Sequence, residues 1–521
     1  MEIDDKSQLP RTITDGIYGA ANYLASVKGC FTIICLLVIL LPAFLLGPYL
    51  PIIDIIQYVG LHNYPPKLSF GPEHIYVFQF TFILPHILLR LLHDMQISAA
   101  WQICLLYCLL MLVAFFVLSK IYTIFFKNGK MYYFATAASL FAVWDGLFLW
   151  GGPLPFSLAA ALFSIAFYYY IREGAYSEDN SIKITAILFL ACTSHPFAIP
   201  FVLILLGVRF LVQSNNTQRV KALLCMVPIF CFAALIMIDS PESDVKAELL
   251  KLVSFHINNL IKNVKMLYLS PKVITEFIYS ERMPKTLQIF FWVRSSIILL
   301  GFALSAICMF LKSTSRPHRY LYVYVFVTLL LYLTSVDVTD VIVEWPARIL
   351  SFSGIFLFAS GFIVIHQLIS KTRLTRPITM AASAWGNAPL IILIVCMSAI
   401  HTYLPFNIFY PKSKIFQFNY LQVRSQLIEE ASNCFITFRY ANLNPYYLHS
   451  MEKLLFSDKK IIASGILLEN DWHKLQRHNT RVINANNKKE VIYLIYCGKD
   501  RLLHVRKLRD GNARELDKKP H

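Results

Sequence analysis

The chain has 521 residues, 57% hydrophobic and only 15% charged, against about 25% charged in an average soluble domain, and its mean hydropathy is +0.55. Apolar runs of about twenty residues recur along three quarters of its length, which excludes a soluble multidomain protein and predicts a multi-pass membrane protein. The net charge of +17 reads as a topology signal and not as a nucleic-acid footprint. It sits in short loops between apolar runs, and no base-reading or phosphate-cradling motif accompanies it.

Residues 1–28 carry Asp4, Asp5 and Asp15 and no small-residue cleavage pattern, so the first apolar run is expected to stay as an anchor. The expected spans are about 29–49, 98–124, 131–149, 152–171, 182–195, 197–213, 219–238, 286–311, 319–335, 347–369 and 385–404. Residues 182–213 are too long for one span and are interrupted by Ser194-His195-Pro196; proline removes a helical hydrogen bond, so two short helices fit better. Segment 74–97 is apolar but holds Pro85, His86, Arg90, His93 and Asp94. It is expected as an amphipathic helix flat on the interface, because burying those groups in a span costs a few kcal/mol each.

With this arrangement Lys120, Lys127, Lys130, Arg172, Lys183, Arg219, Lys221, Lys312, Arg316, Lys371, Arg373 and Arg376 share the side of the N-terminus, and the opposite loops 150–152 and 336–346 carry no Lys or Arg. That bias predicts a cytoplasmic N-terminus and an outer C-terminus. The expected fold is a polytopic α-helical membrane protein of about eleven spans with a small α/β C-terminal extracytoplasmic domain. Its parts are a cytoplasmic segment 1–28, a transmembrane domain 29–404 with outer loops at about 50–97 and 239–285, and a soluble domain 405–521. In that tail a helix is expected over Tyr420–Ala431, and alternation predicts strands at 460–463 and 491–496. The lysine-rich 239–285 loop reads as an interfacial helix touching anionic headgroups, or as a long translocated loop indifferent to the charge rule. Nine of the eleven cysteines lie in apolar runs as packing residues; Cys434 and Cys497 are left as one candidate disulfide if the tail meets an oxidising compartment.

The ionisable residues expected at the outer ends of the spans are the candidates for chemistry. Asp54 is a lone carboxylate in Pro51-Ile52-Ile53-Asp54-Ile55-Ile56. Desolvation would raise its pKa toward that of a general base, the alternative being a helix cap. Asp145, in Trp144-Asp145-Gly146, has the same two readings. Asp337, Asp340, Glu344 and Arg348 form the densest group; Pro346 interrupts any helix there, so Arg348 opens the next span, either holding a phosphate bidentately or bridging Glu344. His195, at the helix break, reads as a proton carrier or ligand, or as hydrogen-bonded structure. Glu73-His74 and His93-Asp94 lack the spacing of a metal motif, and there is no P-loop, GxGxxG, HExxH or GxSxG.

Leu50-Pro51-Ile52-Ile53-Asp54-Ile55-Ile56-Gln57 resembles the Pro-x-x-Asp-Leu-Pro-x-His segment that follows the first span in bacterial members of the GT-C superfamily of integral-membrane glycosyltransferases. Glu344-Trp345-Pro346-Ala347-Arg348 is similar to their arginine-bearing entry to a late span. The overall shape covers nearly the whole chain. Two positions depart from the pattern: Ile56 stands at the proline and Tyr58 at the histidine, so no role of that histidine carries over. The resemblance implies sugar transfer from a polyprenyl-phosphate-linked donor to a glycan or lipid acceptor, such as lipopolysaccharide, on the outer face of a bacterial inner membrane. In it Asp54 deprotonates or orients the acceptor hydroxyl, and Arg348 and Arg90 stabilise the lipid phosphate; some relatives also use a divalent metal ion. Asp145 is taken as a second catalytic candidate from its own position in the chain. Rival readings are an O-antigen polymerase or ligase, and a transporter or flippase of lipid-linked glycan.

Overall fold

The structure, a computed structural model, describes residues 83–97, 99–126, 154–195, 198–213, 215–239, 259–265, 285–310, 315–335, 363, 423–428, 434–438, 463–467, 491–497 and 503–509. They are predominantly helical. The long helices are α1 (Ile83–Asp94), α2 (Ala99–Phe125), α3 (Leu154–Tyr176), α4 (Ser181–Ser194), α5 (Ala198–Val212), α6 (Asn216–Asp239), α7 (Lys285–Phe310) and α8 (Arg316–Ser335). Helices α2 to α8 stand where seven of the apolar runs lie. The expected spans 29–49, 131–149, 347–369 and 385–404 fall outside the described residues, apart from Ile363. Among the described residues one helix, α6 over Asn216–Leu235, is by length and composition able to cross a membrane.

Helix boundaries follow local chemistry. α3 runs five residues past its apolar stretch to Tyr176 and stops at Ser177, which takes φ 57, while the Ser177 amide donates to the Glu173 carbonyl at 3.0 Å. The Asp179 carboxylate accepts from the Ser181 amide at 3.1 Å and so opens α4. Pro196 excludes a helical conformation from the residue before it, and His195 is accordingly extended (φ −157, ψ 129), ending α4. The Asn215 side chain caps α6 by accepting from the Thr217 amide at 2.9 Å. Pro317 lies in the first turn of α8, where a missing amide hydrogen costs nothing.

The helices pack around α3, which touches α1, α2, α4, α5 and α8. Ala159, Ala160, Phe163, Ala166, Phe167, Tyr170 and Ile171 are closed off nearly all round, the pattern of a helix at the centre of a bundle. Phe167 meets Tyr324 of α8 at a centroid distance of 4.9 Å, and Tyr170 stacks on Tyr320 at 4.7 Å. Hydroxyls inside the bundle satisfy themselves on their own helices, as Ser164 does on the Ala160 carbonyl and Thr328 on that of Tyr324, both at 2.8 Å. The outside is apolar instead of polar: Leu109 and Phe116 on α2, Leu223, Leu224, Val227, Phe230 and Leu235 on α6, and Trp292, Leu300 and Ile307 on α7 are exposed. Such a belt is compatible with a helical membrane protein.

α1 leans on this bundle through Leu88 and Leu92, which pack with Leu110 and Ala161, while Ile87, Leu91 and Met95 form an exposed apolar stripe.

Near the C-terminus a four-stranded sheet comprises β1 (Cys434–Phe438), β2 (Ala463–Leu467), β3 (Val491–Cys497) and β4 (Leu503–Arg509), in the order β2-β1-β3-β4. β1 is parallel to both neighbours and β3–β4 is an antiparallel hairpin. Residues 423–428 are helical, inside the expected helix. β2 begins at Ala463, where the expected strand ended, and β1 and β4 stand where no strand was expected. The register overturns the candidate disulfide. Cys434 pairs with Val491, and Cys497 lies six residues further along β3, about 20 Å at about 3.3 Å per residue, where a disulfide needs Cα atoms within about 7 Å.

Candidate functional site

Six helices bring one end each to a common pole: the C-terminal ends of α2, α3 and α5 and the N-terminal ends of α4, α6 and α8. Contacts between them fix this, among them Phe125 on His318 at 4.8 Å, the Tyr170 hydroxyl donating to the Tyr320 carbonyl at 3.1 Å, and Arg316 on Gln213 at 3.0 Å. The pole collects Lys120, Arg172, Lys183, Arg209, Arg219, Lys221, Arg316 and Arg319 against Glu173, Glu178 and Asp179, eight bases to three acids among the described residues.

At its centre lies a closed ion pair. Arg209 of α5 is fully buried, and its Nε and Nη2 donate to the Glu173 carboxylate of α3 at 2.8 and 2.9 Å. The fork matches the carboxylate bidentately, the strong form of this contact. Nη2 also donates to the Ser181 hydroxyl of α4, and Gln213 Nε2 adds a third donor to Glu173 at 3.1 Å. One residue from each of three helices thus meets on one carboxylate and its partner. A pair so enclosed is strongly coupled to the integrity of the bundle.

Two further pairs ring the pole at its surface. Lys221 of α6 pairs with Asp179, and Arg172 with Glu178 at 2.8 Å. The Lys221 ammonium, helped by the Ser181 hydroxyl and amide, holds the Asp179 carboxyl well below the ordinary carboxylate range. For Glu178 partial desolvation pulls upward, but hydrogen bonds from Arg172 and Asn180 outweigh it and keep that carboxyl low as well. Each of the three acids therefore has its base. Arg219 and Arg316 do not share in this: Arg219 Nε donates to the Gln213 carbonyl at 2.7 Å, and Arg316 Nη2 to the Gln213 side-chain oxygen at 3.0 Å. Neither meets a carboxylate among the described residues.

Of the residues singled out in the sequence, Asp54, Asp145, Asp340, Glu344 and Arg348 lie outside the described residues. Arg90 is on α1, which packs on α2, α3 and α4. His195 is at the end of the α4–α5 hairpin away from the basic pole, half-buried, its amide donating to the Ala191 carbonyl at 3.1 Å and its own carbonyl accepting from Ala198 at 3.0 Å. Among the described residues no group of three His, Cys, Asp or Glu side chains could hold a metal ion. The Glu173–Arg209 pair escaped the sequence reading although a signal was there: Arg209 is the one ionisable residue within 197–213, and an ionisable group in an apolar run demands a partner. Comparison of the chain with protein-family models, with curated proteins and with solved structures found no match.

Proposed function

We propose that the chain is a GT-C-like membrane glycosyltransferase of about eleven spans. It would move a sugar from a polyprenyl-phosphate donor to a surface glycan or lipid acceptor at the outer face of a bacterial inner membrane, the C-terminal domain lying on that side. The observation that carries this reading is the segregation of charge: the basic helix ends share one pole, which the positive-inside rule assigns to the cytoplasm. α3 begins and α8 ends at the opposite pole. Asp145 precedes α3 by nine residues, and Asp340, Glu344 and Arg348 follow α8 by five to thirteen.

In this reading Asp54 removes the proton of the acceptor hydroxyl as that oxygen attacks the anomeric carbon, and the bond to the lipid phosphate breaks. Direct displacement inverts the configuration. Asp145 serves as a second catalytic carboxylate, Arg348 and Arg90 take up the charge that develops on the departing phosphate, and Asp340, Glu344 and His195 bind the substrate.

The test is transfer of label from a panel of radiolabelled polyprenyl-phosphate sugars into surface glycan by membranes carrying wild type, Asp54→Asn or Arg348→Ala at matched expression. Wild type transfers from at least one donor, and Asp54→Asn loses at least about a hundredfold, the scale of general-base catalysis. Equal transfer by wild type and Asp54→Asn, or none by wild type from any donor, sinks the proposal and brings the flippase reading forward. Loss confined to arginine variants of a middle outer loop favours the polymerase or ligase.

A further inference from the structure

Two guanidinium groups converge on one neutral residue at the basic pole. Arg219, in the first turn of α6, donates to the Gln213 carbonyl, and Arg316, the first residue of α8, donates to the Gln213 side-chain oxygen at 3.0 Å and toward the Ser177 hydroxyl at 3.4 Å. Gln213 is itself buried and turned by its bond to Glu173, so both arginines are anchored on the central ion pair of the bundle. The three acids of the pole are already taken by Arg209, Lys221 and Arg172. Arg219 and Arg316 are half-buried, held by neutral acceptors, and free of any carboxylate among the described residues. Like charges held on one residue repel, and an anion bound between them relieves that repulsion. The α8 N-terminus adds its positive dipole end at the same place.

We propose that Arg219 and Arg316, with Ser177 and the first turn of α8, form a binding site for a phosphate group, and that its source is the headgroup of an anionic phospholipid in the leaflet at the basic pole. The chemistry fits: guanidinium forks match phosphate oxygens bidentately, and the belt of exposed Val220, Leu223 and Leu224 beside Arg219 offers the acyl chains an apolar wall. This site is distinct in place and chemistry from the transfer centre proposed at the opposite pole.

The full-length protein is examined by native mass spectrometry after incubation with dioleoyl-phosphatidylglycerol or dioleoyl-phosphatidylcholine, and by thermal unfolding with and without inorganic phosphate. Wild type retains phosphatidylglycerol over phosphatidylcholine by a ratio on the order of tenfold, the scale expected of two basic groups at a headgroup. Arg219→Gln with Arg316→Gln removes the preference, whereas Lys120→Gln with Lys183→Gln, exposed lysines of the same pole, keeps it. Ser177→Asp gives an independent readout that does not strip charge from the fold. Ser177 is exposed and already at φ 57, a conformation Asp accepts, and the new carboxylate occupies Arg316 and expels the lipid. If millimolar phosphate stabilises lipid-free wild type but not Ser177→Asp, the site is upheld with free phosphate as a source; stabilisation by phosphatidylglycerol alone upholds the lipid. No preference in wild type, equal loss in the lysine variant, or full retention in Ser177→Asp overturns the proposal.

Discussion

Removing the Glu173 carboxylate leaves a guanidinium charged and enclosed, because Arg209 has no exposure and does not deprotonate in proteins. Glu173→Ala is expected to destabilise by about 3–5 kcal/mol, read as a lower melting temperature of the solubilised protein. Glu173→Leu combined with Arg209→Met removes both charges and recovers most of the loss; a double variant no better than the single would show that the pair, and not the stranded charge, matters. The surface pair responds to pH instead. Asp179 has a folded pKa below its unfolded one, so its contact with Lys221 stabilises fully above the ordinary carboxylate range and fades as pH falls from about 4 through the lowered folded value. Both partners are nearly half exposed, which limits the effect to about 1 kcal/mol or less. The melting-temperature gap between wild type and Asp179→Asn should therefore be present at neutral pH and shrink in acid; a constant gap refutes the linkage. Sequence reasoning sees such residues unevenly. It weighed carboxylates for catalysis and passed over Arg209, whose apolar neighbours in the chain say only that it is buried. Its partner is 36 residues away, across two turns of the fold that no local pattern specifies.

At the scale of elements the sequence was most readable where one residue dictates backbone geometry. Pro196 sets the break at His195, and the split of 182–213 into α4 and α5 follows from steric exclusion alone. The end of α3 was less visible, because a hydropathy run stops at the first charge, whereas a charge that finds a partner lets the helix continue to Tyr176. In the sheet β3 was expected and β4 was not, although Leu503-His504-Val505-Arg506 alternates apolar and polar residues and pairs antiparallel with β3. A disulfide between Cys434 and Cys497 is attractive by composition and is forbidden by register, a long-range property. The faces of α6 yield a prediction. Val227 is half exposed near the middle of the helix, and a lysine there costs about 2.5–3.5 kcal/mol of insertion. Val220→Lys, in the first turn and a half beside Lys221, lets the side chain reach the interface at little cost. Membrane-inserted protein should fall sharply for Val227→Lys and hold for Val220→Lys; equal yields would mean that α6 does not face lipid.

For the whole molecule the decisive relation is which helix ends share a pole, and charge counting along the chain grouped Arg172, Lys183, Arg219, Lys221 and Arg316 in advance because the same bias that orients loops also gathers them. What it could not supply was the packing that joins them, centred on α3. The arrangement predicts sidedness. In a cysteine-free background, single cysteines at Ser177, Asn215 and Ser315 should label with an impermeant reagent from one face of the membrane. One at Lys265 should label from the other, since Asn263 donates to the Leu333 carbonyl near the far end of α8 at 3.0 Å. Labelling of all four from one face contradicts the bundle. The α4–α5 hairpin sets a further condition on the lipid itself. Its helices have 14 and 15 residues, so at about 1.5 Å per residue they reach about 21 and 22 Å from the basic pole, while a hydrocarbon layer is about 30 Å deep. The tip bearing Thr193, Ser194 and His195 therefore ends well short of the level at which α2, of 27 residues, and α3, of 23, begin. A bilayer meets such hydrophobic mismatch by sagging toward the short element. In a bilayer the far leaflet would be drawn down beside α4 and α5, so that lipid headgroups there stand nearer the midplane than beside α2 and α3.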